Sequence, residues 1–130
     1  MRILVVEDEF LIAMEVEDTV RALGHEVLGP AGSRADAKAL GAAAEIALVD
    51  IRLLDGATGL LLAEDLRRDH GVTVIFTTGN PESVMSSKAA IGVVQKPYRE
   101  NEIASAIEYA ISRRLGRHAP LPPGLMPLPA

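Results

Sequence analysis

The sequence predicts an α/β domain in which a parallel sheet carries helices on both faces. Three observations predict it. Short apolar runs bounded by turn signals recur at residues 3–6, 26–28, 46–49, 72–76 and 92–94. The intervening segments place apolar residues at helical spacing. The runs themselves are apolar almost without a break, as strands buried on both faces must be. Strands alternating with helices build βαβ units and therefore a parallel, doubly covered sheet.

The elements follow in order. After the first run, Ile12, Val16, Val20 and Leu23 mark one face of a helix. Ser33 with Asp36 is a capping-box-like start for a second, alanine-rich helix. Leu62, Ala63 and Leu66 mark a third. Asn80-Pro81-Glu82 supplies a cap, a first-turn proline and an acid, the opening of a fourth helix. Its body, SVMSSKAA, is a weak helix former, so a short or mobile helix is expected there. Ile103, Ile107, Ala110 and Ile111 mark a fifth. From Gly116 the character changes. The last 15 residues hold Pro120, Pro122, Pro123, Pro127 and Pro129, five of the chain's eight prolines, and cannot continue a helix. The division expected is a domain over residues 1–115 and an extended tail over 116–130, dispensable for the chemistry from His118 onward and read as a solvated end, with docking of Leu121, Leu125, Met126 and Leu128 on a partner or neighbour as the alternative.

Composition bounds the function. A chain of 130 residues makes one domain. Apolar residues are 48% and aromatics only 3%, so the core must be aliphatic. A net charge of −5 without interleaved basic and aromatic residues argues against nucleic acid as a partner. The absence of cysteine excludes disulfides, thiolate catalysis and cysteine metal sites. No apolar stretch approaches the roughly 18 residues of a membrane span. The expectation is a soluble, cytoplasmic protein without membrane contact. His25, His70 and His118 show no metal-ligand spacing.

The segment EIALVDIRLLDG poses the chemical question. A strand built for the core delivers a carboxylate, Asp50, at its end. An unpaired buried charge would cost several kcal/mol, roughly. In an open α/β sheet the carboxyl ends of the strands share one rim, where ligands bind. The first strand ends in Glu7-Asp8-Glu9, the third in Asp50, the fourth in Thr77-Thr78-Gly79 and the fifth in Lys96-Pro97. The polar groups that interrupt apolar strands thus collect at one edge. Several carboxylates in one pocket suit a hard divalent cation such as Mg²⁺, which takes oxygen ligands and needs only one or two carboxylates. Asp50 can act as a nucleophile and form an acyl phosphate. Lys96, the Thr78 hydroxyl, the Gly79 backbone N–H and the metal can neutralise the transferred group.

The motifs VVEDE, LVDIRL, FTTG and QKPY, in this order and spacing, resemble the receiver domains of two-component response regulators. The resemblance covers residues 2–115. It implies a (βα)₅, flavodoxin-like three-layer sandwich with five parallel strands in the order 2-1-3-4-5. It implies that Asp50 is the phospho-acceptor, Asp8 a direct metal ligand and Glu7 a ligand through water, with the Arg52 carbonyl as backbone ligand. Thr78 matches the switch hydroxyl and Lys96 the phosphate-pairing lysine, usually followed by a cis proline, here Pro97. FTTGN and KPY are similar to a subfamily with a Phe-Ala-Thr-Gly-Tyr motif, Thr77 and Asn80 replacing Ala and Tyr. Val93 stands where the family often has an aromatic switch residue, and Leu54 where it commonly has proline.

The resemblance implies a signalling switch rather than an enzyme, catalysing only its own phosphorylation and dephosphorylation. Its donor would be a histidine kinase or histidine phosphotransfer protein, its target a downstream protein. Residues 80–90 are expected to reorder on phosphorylation. A phosphorylation-independent interaction module on the same fold is the alternative. A flavodoxin-type nucleotide site is disfavoured because VVEDEF is acidic and lacks glycine. An Asp-x-Asp phosphatase is disfavoured by Arg52 at the third place.

Overall fold

The computed structural model describes residues 1–129. The chain runs β1 (Arg2–Val6), α1 (Phe10–Ala22), β2 (Glu26–Ala31), α2 (Arg34–Gly41), β3 (Ile46–Asp50), α3 (Gly59–His70) and β4 (Thr73–Thr78). A 3₁₀ turn (Pro81–Val84), β5 (Gly92–Gln95), α4 (Glu100–Arg114) and β6 (Leu125–Pro127) complete it. The sheet order is β2-β1-β3-β4-β5-β6. The first five strands are parallel and stand in the expected 2-1-3-4-5 order. The fold is thus the flavodoxin-like α/β sandwich.

Strand periodicity sorts the core into two layers. Leu4, Val6, Ala47, Val49, Val74 and Phe76 face α2 and α3, where Ala37, Leu62, Ala63 and Leu66 close the layer. Ile3, Val5, Ile46, Leu48 and Ile75 face α1 and α4, against Val16, Val20, Ile103, Ile107 and Ala110. The faces read from helical spacing are the buried ones. The cap at α2 forms as the sequence implies: Ser33 Oγ accepts from the Asp36 N–H at 3.2 Å. Among the described residues no helix is long and apolar enough to cross a membrane.

Two expectations are corrected. The short helix expected from Asn80 is shorter still and of another type, a single 3₁₀ turn. Local side chains bond the backbone along the segment, and two of the groups they take, the Asn80 carbonyl and the Ala89 N–H, are ones a longer helix would use. The Asn80 N–H donates to Thr78 Oγ1 at 3.1 Å, Ser83 Oγ donates to the Asn80 carbonyl at 2.8 Å, and Ser87 Oγ accepts from the Ala89 N–H at 3.1 Å. The tail is extended, as its prolines dictate, but its end is not a free solvated segment. Residues of β6 pair antiparallel with β5, and Leu125 and Leu128 are buried. The prolines forbid a helix but leave the extended conformation open at a sheet edge, where the β5 backbone needs partners.

Two further constraints fix the layer over α2 and α3. Asp65 is a buried acid on α3. Arg34 Nε donates to it at 2.8 Å and Arg68 Nη2 at 3.0 Å, with Lys38 at 3.9 Å. The Arg34 pair ties α2 to α3. Gly59, the first residue of α3, lies against the backbone at the end of β3: an added Cβ would overlap the Asp50 carbonyl. The helix start is thereby pressed onto the strand end that carries Asp50.

The Arg34 hydrogen bond, working against burial, holds the Asp65 carboxyl below its ordinary value of 3.8. A depressed carboxyl stabilises the fold above that value, and the contribution is lost as pH falls through the folded-state value. Asp65→Asn is expected to lose about 1–3 kcal/mol at neutral pH, the deficit shrinking below pH 3.8. Urea titrations at the two pH values measure it, and a deficit independent of pH would exclude the charged pair as its source. Gly59→Ala is expected to cost about 1–3 kcal/mol through forced displacement of α3 from β3. Thermal unfolding tests this, and an unchanged midpoint would show that the close approach is not obligatory.

Candidate acidic phospho-acceptor site

The rim predicted from the strand ends is assembled. Glu7 follows β1, Asp50 ends β3, Thr78 ends β4 and Lys96 follows β5. Because β1 and β3 are neighbours, Val6 stands beside Val49 and the residues beyond them converge. Carboxylate oxygens of Glu7, Asp8 and Asp50 lie within 4.8 Å of one another. Glu7 and Asp50 are buried and Asp8 is exposed, so the cluster opens to solvent through Asp8.

A single cation holds this cluster together. Lys96 Nζ donates to Glu7 Oε1 at 2.7 Å and to Asp50 Oδ2 at 3.0 Å. Glu7 Oε2 accepts from the Asp8 N–H at 3.0 Å, which turns the loop after β1 inward. The charge balance is still negative. Burial, together with hydrogen bonding to Asp50, pushes the Glu7 carboxyl up to about 7, although Lys96 pulls the other way. Burial opposes the Lys96 ammonium, but its bonds to Glu7 and Asp50 outweigh that and raise it above its ordinary value. One ammonium is therefore shared between two buried acids, Glu7 and Asp50. A carboxyl with a raised folded-state pKa weakens the fold as pH rises past its ordinary 4.5. The acidic centre is thus maintained at some expense of stability.

The remaining predicted residues take up places around the same opening. Asp50, Arg52, Thr78, Gly79 and Lys96 line one pocket of about 440 Å³ with Asn80 and Ser83. The Arg52 backbone is carried there by the turn after β3, where the Gly59 N–H donates to the Ile51 carbonyl at 2.9 Å. Thr78 Oγ1 accepts from Asn80, which leaves its own O–H able to donate. The Lys96-Pro97 bond is cis, as the resemblance implied. Val93, at the family's aromatic place, is buried in β5 beside Phe76.

Sequence reasoning missed Gly59, whose small size lets α3 close on Asp50, and the lining roles of Ser83 and Ala57. A glycine at a helix start after Thr58 was the available signal for the first. Nothing in the local sequence marks the other two.

The donor set fits a hard cation. It consists of oxygens only, two of them on buried carboxylates that already recruit an ammonium, with an exposed acid facing solvent. The receiver fold with this buried acidic cluster could hold a metal ion.

No protein-family model matches the chain. The phyllosphere-induced regulator PhyR of Methylorubrum extorquens is 35% identical over 114 residues, 84% of this chain and 43% of that protein. The chain therefore spans less than half the length of that curated relative. The solution structure of the PhyR response regulator REC domain of Erythrobacter litoralis is 34% identical. It superposes with a TM-score of 0.72 over 93% of this chain and 95% of that one. The anti-anti-sigma factor PhyR of Bartonella quintana is 30% identical, with a TM-score of 0.69 over 88% of this chain and 47% of that one. The likeness to the Erythrobacter domain runs through nearly the whole of both chains, and this chain belongs to the receiver domains of response regulators.

Proposed function

We propose that the chain is a phospho-accepting switch in which Asp50 takes a phosphoryl group from the phosphohistidine of a histidine kinase or phosphotransfer protein. The observation that carries this reading is the position of Lys96 Nζ, 2.7 Å from Glu7 and 3.0 Å from Asp50, on acids that neighbouring strands deliver.

An Asp50 oxygen attacks phosphorus. The donor's phosphorus–nitrogen bond breaks, and its electron pair returns to the imidazole, which takes a proton from solvent. Asp8 and Asp50, with the Arg52 carbonyl and Glu7 through water, would hold Mg²⁺. When bound, the ion supplies the charge neutralisation that lets anionic donor and acceptor approach. Lys96 can move one hydrogen bond from Asp50 Oδ2 to a phosphoryl oxygen. The Thr78 O–H and Gly79 N–H can donate to the others. The protein turns over no separate substrate; it catalyses only its own phosphorylation and hydrolysis. Its place is the cytoplasm.

The output is a protein partner. The Bartonella relative is named an anti-anti-sigma factor, which supports a target among proteins that control transcription rather than DNA itself. The charge of −5 supports the same reading. An added charge of about −2 on phosphorylation acts first on Lys96 and Thr78.

Intact mass measured after treatment with a small phosphodonor and Mg²⁺ tests the acceptor. Wild type is expected to gain one phosphoryl group and Asp50→Asn none; equal gain by both would remove Asp50 from the role. Lys96→Ala is expected to bind Mg²⁺ no more weakly, since an ammonium competing for the same carboxylates is gone, yet to be phosphorylated at least about tenfold more slowly, equivalent to about 1.4 kcal/mol. Calorimetry and the same mass assay measure the two effects. Weaker Mg²⁺ binding with an unchanged rate would contradict them. Thr78→Ala is expected to accept the phosphoryl group but to show smaller amide shifts on β4 and β5 than wild type.

A further inference from the structure

The last strand occupies a place that a parallel sheet of this kind would leave open. Without β6, the β5 edge would present unpaired N–H and C=O groups to solvent, a surface that accepts extended segments from other chains. Here residues Leu125, Met126 and Pro127 stand opposite Val94, Val93 and Gly92. The Leu128 N–H adds a bond to the Ile91 carbonyl at 3.1 Å.

The seat is shaped for its occupant. Gly92 is bare where Leu125 crosses it; an added Cβ would stand 2.6 Å from Leu125 Cδ1. Gly124 takes φ +88° to turn the chain into the strand, and its own Cβ would stand 2.5 Å from Glu102 Oε2. Leu125 enters the layer under α4 with Val94, Ile103 and Ala106. Leu128 enters the opposite layer with Val84, Ala89, Ala90 and Val93. The strand therefore closes both layers beside β5, one of them next to the 3₁₀ turn. It touches the segment that follows Thr78 and the strand that leads into Lys96, the two groups able to respond to charge at Asp50.

We propose that the β5 edge is a docking site for an extended segment of a partner protein, and that residues 125–128 are its intramolecular occupant, released when Asp50 is phosphorylated. The release step rests on the acceptor reading above; the docking site does not. The segment recognised is extended, with apolar side chains at the places of Leu125 and Leu128 and a glycine before the first. Movement of Thr78 and Lys96 toward the phosphoryl group shifts residues 80–90 and the end of β5, the two walls of the seat. A three-residue strand holds few hydrogen bonds, which keeps the exchange accessible.

Amide exchange in the full-length chain tests release. With phosphodonor and Mg²⁺, Leu128 and Val93 are expected to exchange at least about tenfold faster, in samples whose mass shows the added phosphoryl group. A fluorescent peptide of residues 119–130, used as the probe, is expected to bind the phosphorylated chain and not the untreated one. Leu125→Asp and the milder Leu128→Ser, both full length, are expected to bind the peptide without any phosphodonor. Phosphorylated protein with unchanged exchange would overturn release. Folded variants that do not bind the peptide would overturn the docking site, as would a dimer formed by exchange of tails between two copies. A chain that gains no mass would overturn the acceptor reading and with it the release step, while the variants still judge the docking site.

Discussion

Two buried carboxylates on neighbouring strands share one ammonium, and the arrangement of the rest of the molecule follows from that sharing. Glu7 and Asp50 could not both sit at the ends of apolar strands without a cation. Lys96 supplies it from β5, two strands away from β3. The reach is possible only because all five parallel strands end at one rim and because β4, which lies between, finishes in the small, polar Thr78-Gly79. Gly59 adds the closing constraint, since it lets α3 press on the strand end that presents Asp50. The electrostatics are left unfinished: Glu7 is held up to about 7 even with Lys96 in place. A site so poised responds strongly to any further charge, positive or negative.

The sheet is not supported evenly. On one face of the sheet, α2 and α3 are locked over β1, β3 and β4 by Asp65 with Arg34 and Arg68. Beside β5 on that face there is only a single 3₁₀ turn after Asn80 and the three-residue β6, while α4 covers the other face. The lightly supported part is the one that follows Thr78 and leads into Lys96. Serine side chains at positions 83 and 87 bond to nearby backbone, and this is the local reason that the segment does not wind further. Val93, small and buried, leaves the family's aromatic rotation unavailable. Backbone movement in this part is the remaining way for a change at Asp50 to reach the surface.

The parallel sheet, its order and the acidic rim were legible because each rests on a pattern with one reading. Continuous apolar runs fixed the strands, helical spacing fixed the faces of α1, α3 and α4, and Ser33 marked its helix start. Glu7, Asp50, Thr78 and Lys96 stood out as polar residues at the ends of apolar runs, and the family resemblance gave them roles. What was not legible depends on competition between distant or alternative partners. Asn80-Pro81-Glu82 is a valid helix opening, but its Asn80 carbonyl is taken by Ser83 and the Ala89 N–H by Ser87, and the helix stops after one turn. Leu125 and Leu128 stand three apart, a helical spacing that Pro127 and its neighbours forbid, and in a strand that spacing sends them to opposite faces. The burial of Leu125 depends on Gly92, more than thirty positions earlier, leaving room for it, and that of Leu128 on the layer around Val84, Ala89 and Ala90. The approach of Gly59 to Asp50 is likewise a contact that no local pattern encodes.

The central claim is that Glu7, Asp8, Asp50 and Lys96 act as one electrostatic unit open to a hard cation. Carboxyl carbon NMR of the full-length chain during a Mg²⁺ titration tests it most directly. The account predicts a saturable response shared by the Glu7, Asp8 and Asp50 carboxyls, with the Glu7 carboxyl giving up its proton near neutral pH, and loss of that response in Asp50→Asn. A Mg²⁺ response spread evenly over exposed acids such as Asp18 and Glu64, with Glu7 and Asp50 unmoved, would contradict it.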